Sequence, residues 1–284
     1  MTSSGRNRTR SLTLWGMCFD HDSRPPALPS ERVLAPLAGG AGAEILTLRS
    51  EDSTEFAAAL AHTPSPSPVG VVIIPDIRGL YRFYAELAER FAEAGHAAIA
   101  LDPFGRTAGV GERDEDFEWL PHVRQTRVEQ VQADVAACAA AVRERAGVRH
   151  VVVAGFCFGG AQAFHAATRE DIGLDAVVGF YGRVVEATEG PLAGVVPAAL
   201  DAVPDMKLPI LGLFGGDDAG IPLETVTQFD EALDANGPEH EIVVYPGAPH
   251  SFFDRKYDEF ADACDDAWRR VLDFLSGVGS RVAG

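Results

Sequence analysis

The sequence predicts a doubly wound α/β domain with a mostly parallel sheet and helices on both faces. Short apolar stretches of strand length recur along the chain, and segments with helical spacing of apolar residues separate them. Glycine or proline stands at many of the junctions. Because strands that alternate with helices need crossover connections, the sheet is expected to be largely parallel.

The chain is expected to begin with an extension that precedes the folded domain. Residues 1–40 are rich in Arg, Ser, Pro, Gly and Ala, which predicts a poorly ordered or draped segment. Residues 41–284 are then predicted to form a single domain. Its first elements are two strands of a hairpin, with the sequences AEILTLRS and TEFAAALA.

The following elements alternate regularly. The stretch VGVVIIP is wholly apolar, which is typical of a strand buried on both faces. A helix follows in YRFYAELAERFAEAG, with Phe83, Leu87 and Phe91 on one side and Gly95 at its end. Further strands are predicted in HAAIALDP, VRHVVVAGF, LDAVVGFYG, LPILGLFGG and HEIVVYPG, and further helices in VEQVQADVAACAAAVRERAG, GGAQAFHAATRE, 223–235 and 257–276.

The charge balance and the cysteines restrict the function classes. The 284 residues include 24 Lys plus Arg against 42 Asp plus Glu, a formal charge of −18, which disfavours nucleic acid and anionic membranes as partners. The four cysteines show no metal-ligand spacing, so we expect no metal. With no secretory leader and no membrane span predicted, the expectation is a cytoplasmic monomer or small homo-oligomer that binds a small molecule.

Three reactive side chains follow predicted strands. Cys157 lies in GFCFGG, Asp218 in FGGDDAGIP and His250 in YPGAPHSFF. Ligands of doubly wound sheets bind beyond the carboxyl ends of the strands. Nucleophile, acid and histidine in this order are typical of an α/β-hydrolase triad, with Asp217 as the alternative acid.

Each residue type suits one step of nucleophilic catalysis. Cys157 would attack as a thiolate, which the start of the following helix and a nearby imidazolium would favour. His250 would accept the thiol proton and later activate a water molecule. Asp218 would hold the imidazole in one tautomer, and Gly155 and Gly159 would permit the cramped turn.

The motifs IIPDIRGL, LDPFGR, GFCFGG, GGDDAGIP and GAPHSFFDR, in this order, resemble those of the dienelactone hydrolase family. The resemblance runs from about residue 43 to about residue 276. It implies the α/β-hydrolase fold, no cofactor, and a relation to enzymes that open dienelactones to maleylacetate. It also implies that Cys157, Asp218 and His250 occupy the triad positions.

The resemblance assigns roles around the nucleophile. The backbone N–H groups of Ile77 and Phe158 fall where the family builds its oxyanion hole. Asp76 lies where members carry a glutamate that contacts the cysteine and helps to gate its ionisation. Asp76 is one methylene shorter, and the alternative is a loop residue that caps the following helix.

The resemblance also suggests which residues bind substrate. Arg106 matches an arginine that binds the substrate carboxylate. A second family arginine follows the histidine by four places, where this chain has Asp254, so Arg255 is a candidate replacement. Arg78 is another candidate anion contact, and any of these arginines could instead be solvated. Aromatic residues near strand ends are expected either to line the pocket or to belong to the core: Phe104, Trp119 and Tyr181.

A cysteine nucleophile restricts the chemistry of the substrate. A thiolate leaves a tetrahedral intermediate more readily than an alkoxide, so a substrate with a good leaving group, such as an enol-lactone, is favoured. The prediction is a hydrolase that opens a small anionic enol-lactone or activated ester through a thioester. The alternatives are an isomerase or redox-responsive binding protein on the same scaffold, and a carboxylesterase of broad specificity.

Overall fold

A computed structural model describes residues 22–34, 42–64, 67–111, 113–254 and 257–281. Within these residues, eight strands form one sheet. They are β1 (Glu44–Arg49), β2 (Glu55–Ala61), β3 (Val69–Ile74), β4 (Ala98–Leu101), β5 (His150–Phe156), β6 (Ala176–Phe180), β7 (Ile210–Gly215) and β8 (His240–Tyr245).

The order of the strands confirms the predicted fold class. The sheet runs β1-β2-β4-β3-β5-β6-β7-β8, and the strands from β3 to β8 are mutually parallel. Strand β2 is antiparallel to both β1 and β4, so the predicted hairpin forms one end of the sheet. Strands β3 and β5 lie in the middle, and their carboxyl ends are therefore flanked by loops on both sides.

The predicted long helices are present, together with two short ones that the sequence did not predict. The described helices are α1 (Arg82–Glu93), α2 (Gly105–Ala108), α3 (Trp119–Val123), α4 (Val128–Ala146), α5 (Phe158–Ala166), α6 (Leu223–Asn236) and α7 (Ala261–Arg281). Helices α2 and α3 are too short to show a full helical repeat of apolar residues, which is why periodicity does not reveal them.

Aromatic contacts show how the helices form two layers. Phe91 of α1 meets Trp268 of α7, with ring centroids 5.1 Å apart. Phe164 of α5 meets Phe229 of α6 at the same centroid distance of 5.1 Å, and α4 packs against α5. Every residue of β3 is buried, as expected for a central strand covered on both faces.

The described part of the N-terminal extension, residues 22–34, crosses the layer formed by α1 and α7. Leu28 is buried, and the indole N–H of Trp268 donates to the carbonyl oxygen of Pro26 over 3.3 Å. The backbone N–H of Leu34 donates to Glu93 at the end of α1. This segment contains one 3-10 turn, Ser30–Arg32.

Among the described residues, no helix is long and apolar enough to cross a membrane.

Candidate active site

The turn between β5 and α5 holds Cys157 in a strained backbone conformation. Its φ of 56° and ψ of −111° lie outside the regions that side-chain-bearing residues ordinarily adopt. Its backbone N–H donates to the carbonyl oxygen of Phe180 in the neighbouring strand over 3.0 Å. Such a sharp strand-to-helix turn presents a nucleophile above the carboxyl edge of the sheet.

Glycines on both sides of Cys157 permit this turn. A Cβ atom on Gly155 would lie 1.9 Å from the carbonyl oxygen of Gly159, and a Cβ on Gly159 would lie 2.1 Å from that of Ile74. Neither distance is sterically possible, so the turn and the end of β3 approach each other closely only because both residues lack a side chain. The close approach brings the first turn of α5 beside the loop that follows β3.

Asp218 and His250 lie on neighbouring loops, after β7 and β8. The Nδ1 atom of His250 lies 2.6 Å from Oδ2 of Asp218. The other carboxylate oxygen accepts hydrogen bonds from the backbone N–H groups of Gly220 and Ile221. Asp218 is therefore fixed from both sides and can orient the imidazole.

The neighbouring acid, Asp217, has a different environment. Its side chain is exposed, whereas Asp218 is buried. The backbone N–H of Asp217 donates to the carbonyl oxygen of Ala248 over 2.9 Å, which ties the acid loop to the histidine loop. The geometry therefore favours Asp218 over Asp217 as the partner of His250.

Tyr181 lies between the loop of His250 and the turn of Cys157. The centroid of its ring lies 5.1 Å from that of His250 and 6.3 Å from that of Phe156, the residue before Cys157. Tyr181 itself has a positive φ of 37° and is buried. It packs between His250 and the residue before Cys157, and its burial fits the alternative expectation of a core residue.

The two predicted oxyanion donors lie at the start of α5 and in the loop after β3. Phe158 is the first residue of α5, where a helix leaves its N–H groups without intrahelical partners. Ile77 lies in the loop after β3, against which the first turn of α5 packs. In the described part of the chain, neither backbone N–H has a protein acceptor, so both can donate to a substrate oxygen.

Asp76 and Arg78 form a buried cluster with Asp254. The Arg78 guanidinium contacts both oxygens of Asp76 and also Oδ2 of Asp254. Burial alone would lower the pKa of Arg78, but the two carboxylates raise it above its ordinary value. The expected anion contact at Arg78 is thus wrong for this arrangement, because two carboxylates already neutralise a side chain that is 2% exposed.

The contacts of Asp76 also differ from those of a gating group. One carboxylate oxygen accepts the backbone N–H of Arg78 over 2.8 Å, and the Asp76 N–H donates to the hydroxyl of Tyr84 over 3.0 Å. Both contacts shape the loop that carries Ile77. Asp76 therefore fixes the loop after β3. Helix α1 has its N-cap at Tyr81 with no side-chain cap hydrogen bond, so the alternative expectation of a helix cap is also wrong.

Arg106 pairs with two carboxylates that do not belong to the triad loops. Its guanidinium contacts Asp52 in the turn between β1 and β2 over 2.8 Å, and buried Asp134 of α4 over 2.6 Å. The motif LDPFGR therefore ends in an arginine that joins the hairpin to α4, which corrects its expected role in substrate binding. The other expected arginine, Arg255, lies outside the described residues.

Two of the predicted pocket aromatics, Phe104 and Trp119, pack against other parts of the protein. Phe104 is fully buried, and its ring packs against Phe117 with centroids 5.7 Å apart, so its pocket role is replaced by a core role. A Cβ on Gly79 would lie 2.9 Å from the Phe104 ring, which shows that this ring supports the loop after β3. Trp119 is the first residue of α3, and its side chain is half-buried.

Arg183 is a site candidate that the sequence analysis did not select. It comes three residues after the end of β6 and directly after Gly182, on which a Cβ would lie 2.4 Å from the backbone of Gly160 in α5. The Arg183 side chain is half-buried, and the described residues provide it with no ion pair. Its position after the strand next to β5 could have revealed it from sequence.

The three described cysteines have different environments. Cys138 and Cys264 are buried, and burial raises the pKa of the Cys138 thiol well above its ordinary value and that of Cys264 to about 12. Cys157 is half-buried at the carboxyl edge of the sheet. Among the described residues, no group of His, Cys, Asp and Glu is arranged to hold a metal ion.

Comparisons with known proteins agree with this architecture. A protein of Yersinia pestis named "Putative carboxymethylenebutenolidase" is 31% identical over 222 residues, which cover 77% of this chain and 80% of that protein. One of the same name from Escherichia coli K12 is 29% identical over 250 residues, 85% of this chain and 88% of that protein.

Solved structures and a family model extend the comparison. The crystal structure titled "Putative Dienelactone Hydrolase", from Klebsiella pneumoniae, superposes with a TM-score of 0.68 at 27% identity and covers 82% of this chain and 99% of its own. A dienelactone hydrolase-like promiscuous phosphotriesterase from metagenomic libraries shares the fold, with a TM-score of 0.65 at 20% identity, 84% of this chain and 99% of its own. The model of the dienelactone hydrolase family matches residues 56–279. The chain is therefore a hydrolase of the dienelactone hydrolase family.

Proposed function

We propose that the protein hydrolyses a small anionic enol-lactone or activated ester through a thioester on Cys157. The observation that carries the proposal is the position of Cys157 on a strained turn, with the paired Asp218 and His250 on nearby loops. Two backbone N–H groups, at Ile77 and Phe158, have no protein acceptor among the described residues, and they support the same chemistry. This arrangement supplies a nucleophile, a base and an oxyanion site.

The first half-reaction forms the thioester. His250 accepts the thiol proton, and the Cys157 sulfur attacks the ester carbonyl carbon. The carbonyl oxygen becomes an oxyanion that the N–H groups of Ile77 and Phe158 stabilise. When the carbonyl re-forms, the bond to the ring oxygen breaks and that oxygen departs as an enolate, which takes a proton to give the enol.

The second half-reaction releases the acid. His250 removes a proton from a water molecule whose oxygen attacks the thioester carbonyl. The carbon–sulfur bond then breaks, and the sulfur takes back a proton. A lactone and water give one product that carries both a carboxylic acid and an enol, whereas an acyclic enol ester gives the acid and the enol as two molecules. The enol tautomerises to a ketone or aldehyde, and Cys157 returns to its starting state.

The thiol explains the preference for an activated leaving group. In the tetrahedral intermediate, sulfur and the leaving oxygen compete for departure, and an alkoxide loses because a thiol has a much lower pKa, about 8.5 when unperturbed. An enolate is stabilised by delocalisation and competes more evenly. The proposed substrates are therefore enol-lactones and aryl or enol esters.

Arg183 is proposed as the group that binds the substrate carboxylate. Three arginines after β3 and β4 already pair with buried carboxylates: Arg78 with Asp76 and Asp254, Arg106 with Asp134, and Arg113 with Asp102. Arg183 follows β6, beside the nucleophile turn, and forms no ion pair with the described residues. A guanidinium fork there suits a planar carboxylate.

A second candidate function is a carboxylesterase that acts on neutral esters. The observation that favours it is the neutralisation of Arg78 and Arg106 by carboxylates, which removes two expected anion contacts. The two candidates differ in one respect: a neutral ester does not need Arg183.

Mass spectrometry tests the proposed nucleophile. The protein is exposed briefly to an aryl acetate and, separately, to a dienelactone, and the peptide that contains Cys157 is examined for an acyl adduct. We expect a transient adduct and product release, with both abolished in Cys157→Ala. Turnover that survives Cys157→Ala, or conversion of the lactone to an isomer without uptake of water, would refute the proposal.

Substitution of Arg183 tests the substrate charge. Arg183→Ala should raise KM for a carboxylated lactone about tenfold or more while leaving KM for a neutral aryl ester within about twofold. Arg149→Ala is the matched control, because Arg149 is exposed at the opposite edge of the sheet and its loss changes the net charge equally. An unchanged KM for the carboxylated lactone would favour the carboxylesterase.

A further inference from the structure

The cluster formed by Asp76, Arg78 and Asp254 joins two loops of the candidate site. Asp76 and Arg78 lie after β3, and Asp254 lies 176 residues beyond Arg78, in the segment that follows His250. The side chains of all three are at most 3% exposed. A buried guanidinium shared by two carboxylates therefore connects the loop of Ile77 with the loop of His250.

The same cluster fixes the backbone on both sides of Ile77. The carboxylate of Asp76 accepts the backbone N–H of Arg78 over 2.8 Å, so Ile77 lies inside a turn closed by a side chain. The Arg78 guanidinium lies over the ring of Tyr81, 4.1 Å from its centroid. These contacts leave the Ile77 loop little room to move relative to the loop of His250.

We propose that the Asp76–Arg78–Asp254 cluster is a positioning device that holds the Ile77 N–H at a fixed place relative to His250. The proposal rests on the proposed function, because the Ile77 N–H matters only if an oxyanion forms. The three residues act through Ile77 and not on the substrate. This role accounts for a carboxylate at 254 and for the burial of all three charges.

Two reactions of Cys157 separate this role from an effect on the thiol. Alkylation by iodoacetamide displaces iodide at a saturated carbon and forms no oxyanion, so its rate depends on the thiolate and on access to it. Hydrolysis of an ester depends on the thiolate and also on oxyanion stabilisation. A variant that displaces Ile77 should therefore slow hydrolysis without slowing alkylation.

The main variant is Asp254→Asn, which keeps the size of the side chain and weakens the connection to the histidine loop. We expect kcat for an aryl ester to fall about tenfold or more with KM within about twofold, because oxyanion contacts form mainly in the transition state. Alkylation at the Cys157 peptide should keep its rate. Asp171→Asn is the matched control, since Asp171 is exposed and pairs with Arg169, two residues before it, and not with the cluster.

Arg78→Lys and Arg78→Gln provide a second comparison. Lysine keeps the positive charge but lacks the planar guanidinium group with its paired N–H donors. Arg78→Lys should therefore retain part of the kcat that Arg78→Gln loses. Circular dichroism and thermal unfolding show whether each variant folds. If Arg78→Gln does not fold, the Asp254→Asn result stands alone.

Each outcome supports or overturns the inference. Hydrolysis that depends on Cys157 but keeps its kcat in Asp254→Asn would overturn the inference and leave the proposed function intact. Equal losses in hydrolysis and alkylation would also overturn it, and would instead support a gating role for Asp76. A wild-type protein that hydrolyses neither ester nor lactone would overturn the proposed function and this inference together.

Discussion

The Nδ1 atom of His250 lies 2.6 Å from the Oδ2 atom of Asp218, although the two residues belong to different loops. The other oxygen of Asp218 is held by the N–H groups of Gly220 and Ile221, so the carboxylate cannot rotate away without losing two hydrogen bonds. A fixed acceptor at Nδ1 places the proton there and leaves Nε2 as the basic nitrogen.

The first prediction follows from this pair. Asp218→Asn should lower kcat about a thousandfold, because an amide can donate to Nδ1 and so stabilise the wrong tautomer. Asp217→Asn is the matched control and should stay within about twofold, since that side chain is exposed. Steady-state kinetics with an aryl ester measures both, and equal losses in the two variants would contradict the assignment.

The second prediction concerns the nucleophile turn. Gly155→Ala should destabilise the protein by about 3 kcal/mol or more, because its Cβ would lie 1.9 Å from a backbone oxygen. Gly147→Ala, at a φ of 68° and a ψ of 18° with open space around it, should cost only about 1 kcal/mol from backbone strain. Urea unfolding of both variants checks the difference, and similar losses would show that steric contact is not the cause.

The third prediction separates structure from binding at Arg106. Arg106→Ala leaves the buried carboxylate of Asp134 without its cation and should destabilise the protein by about 3 kcal/mol. KM for a carboxylated lactone should remain within about twofold, in contrast to Arg183→Ala. Thermal unfolding and kinetics on the same preparations test this, and a large increase in KM would return Arg106 to the binding site.

The fourth prediction uses the raised pKa of Asp254. Burial raises this pKa from 3.8 to about 6, and the like charge of Asp76 also raises it, against the attraction of Arg78. Other groups beside Asp254 are Ser23 and Tyr81. As the pH rises, the unfolded chain releases this proton at a lower pH than the folded protein does. The raised pKa therefore lowers the free energy of unfolding progressively between about pH 4 and about pH 6, and the loss stays constant above about pH 6.

On acidification this loss is reversed. Going from about pH 7.5 to about pH 5, the wild type should gain roughly 1 kcal/mol of stability that Asp254→Asn does not gain. The measurement is urea unfolding of both proteins at the two pH values. Parallel pH dependence in the two proteins would show that Asp254 keeps an ordinary pKa in the folded state.

The sequence contains enough to predict the elements that bury apolar residues. VGVVIIP lies within one residue of β3, and GFCFGG marks the turn at Cys157, because both depend on local composition. Helices α2 and α3 escape prediction because four or five residues carry no periodic signal. Local pattern thus identifies strands, long helices and the reactive loops.

The partners of the arginines could not be predicted in this way. Arg78 and Arg106 resemble anion receptors in sequence, since nothing local shows that Asp254 or Asp134 will lie against them. Long-range charge pairing is decided by the packing of distant loops, and it converts two expected binding residues into structural ones. The position of Arg183 after a strand could be recognised from sequence, but that no carboxylate among the described residues pairs with it is again a long-range property.

The segment at residues 22–34 has a practical consequence for preparing the protein. The hydroxyl of Ser23 lies 3.3 Å from that of Tyr81, whose ring covers Arg78. A truncation that removes Ser23 would take away this contact beside the buried guanidinium. Activity compared between the full chain and such a truncation would therefore report on the reaction centre as well as on folding yield.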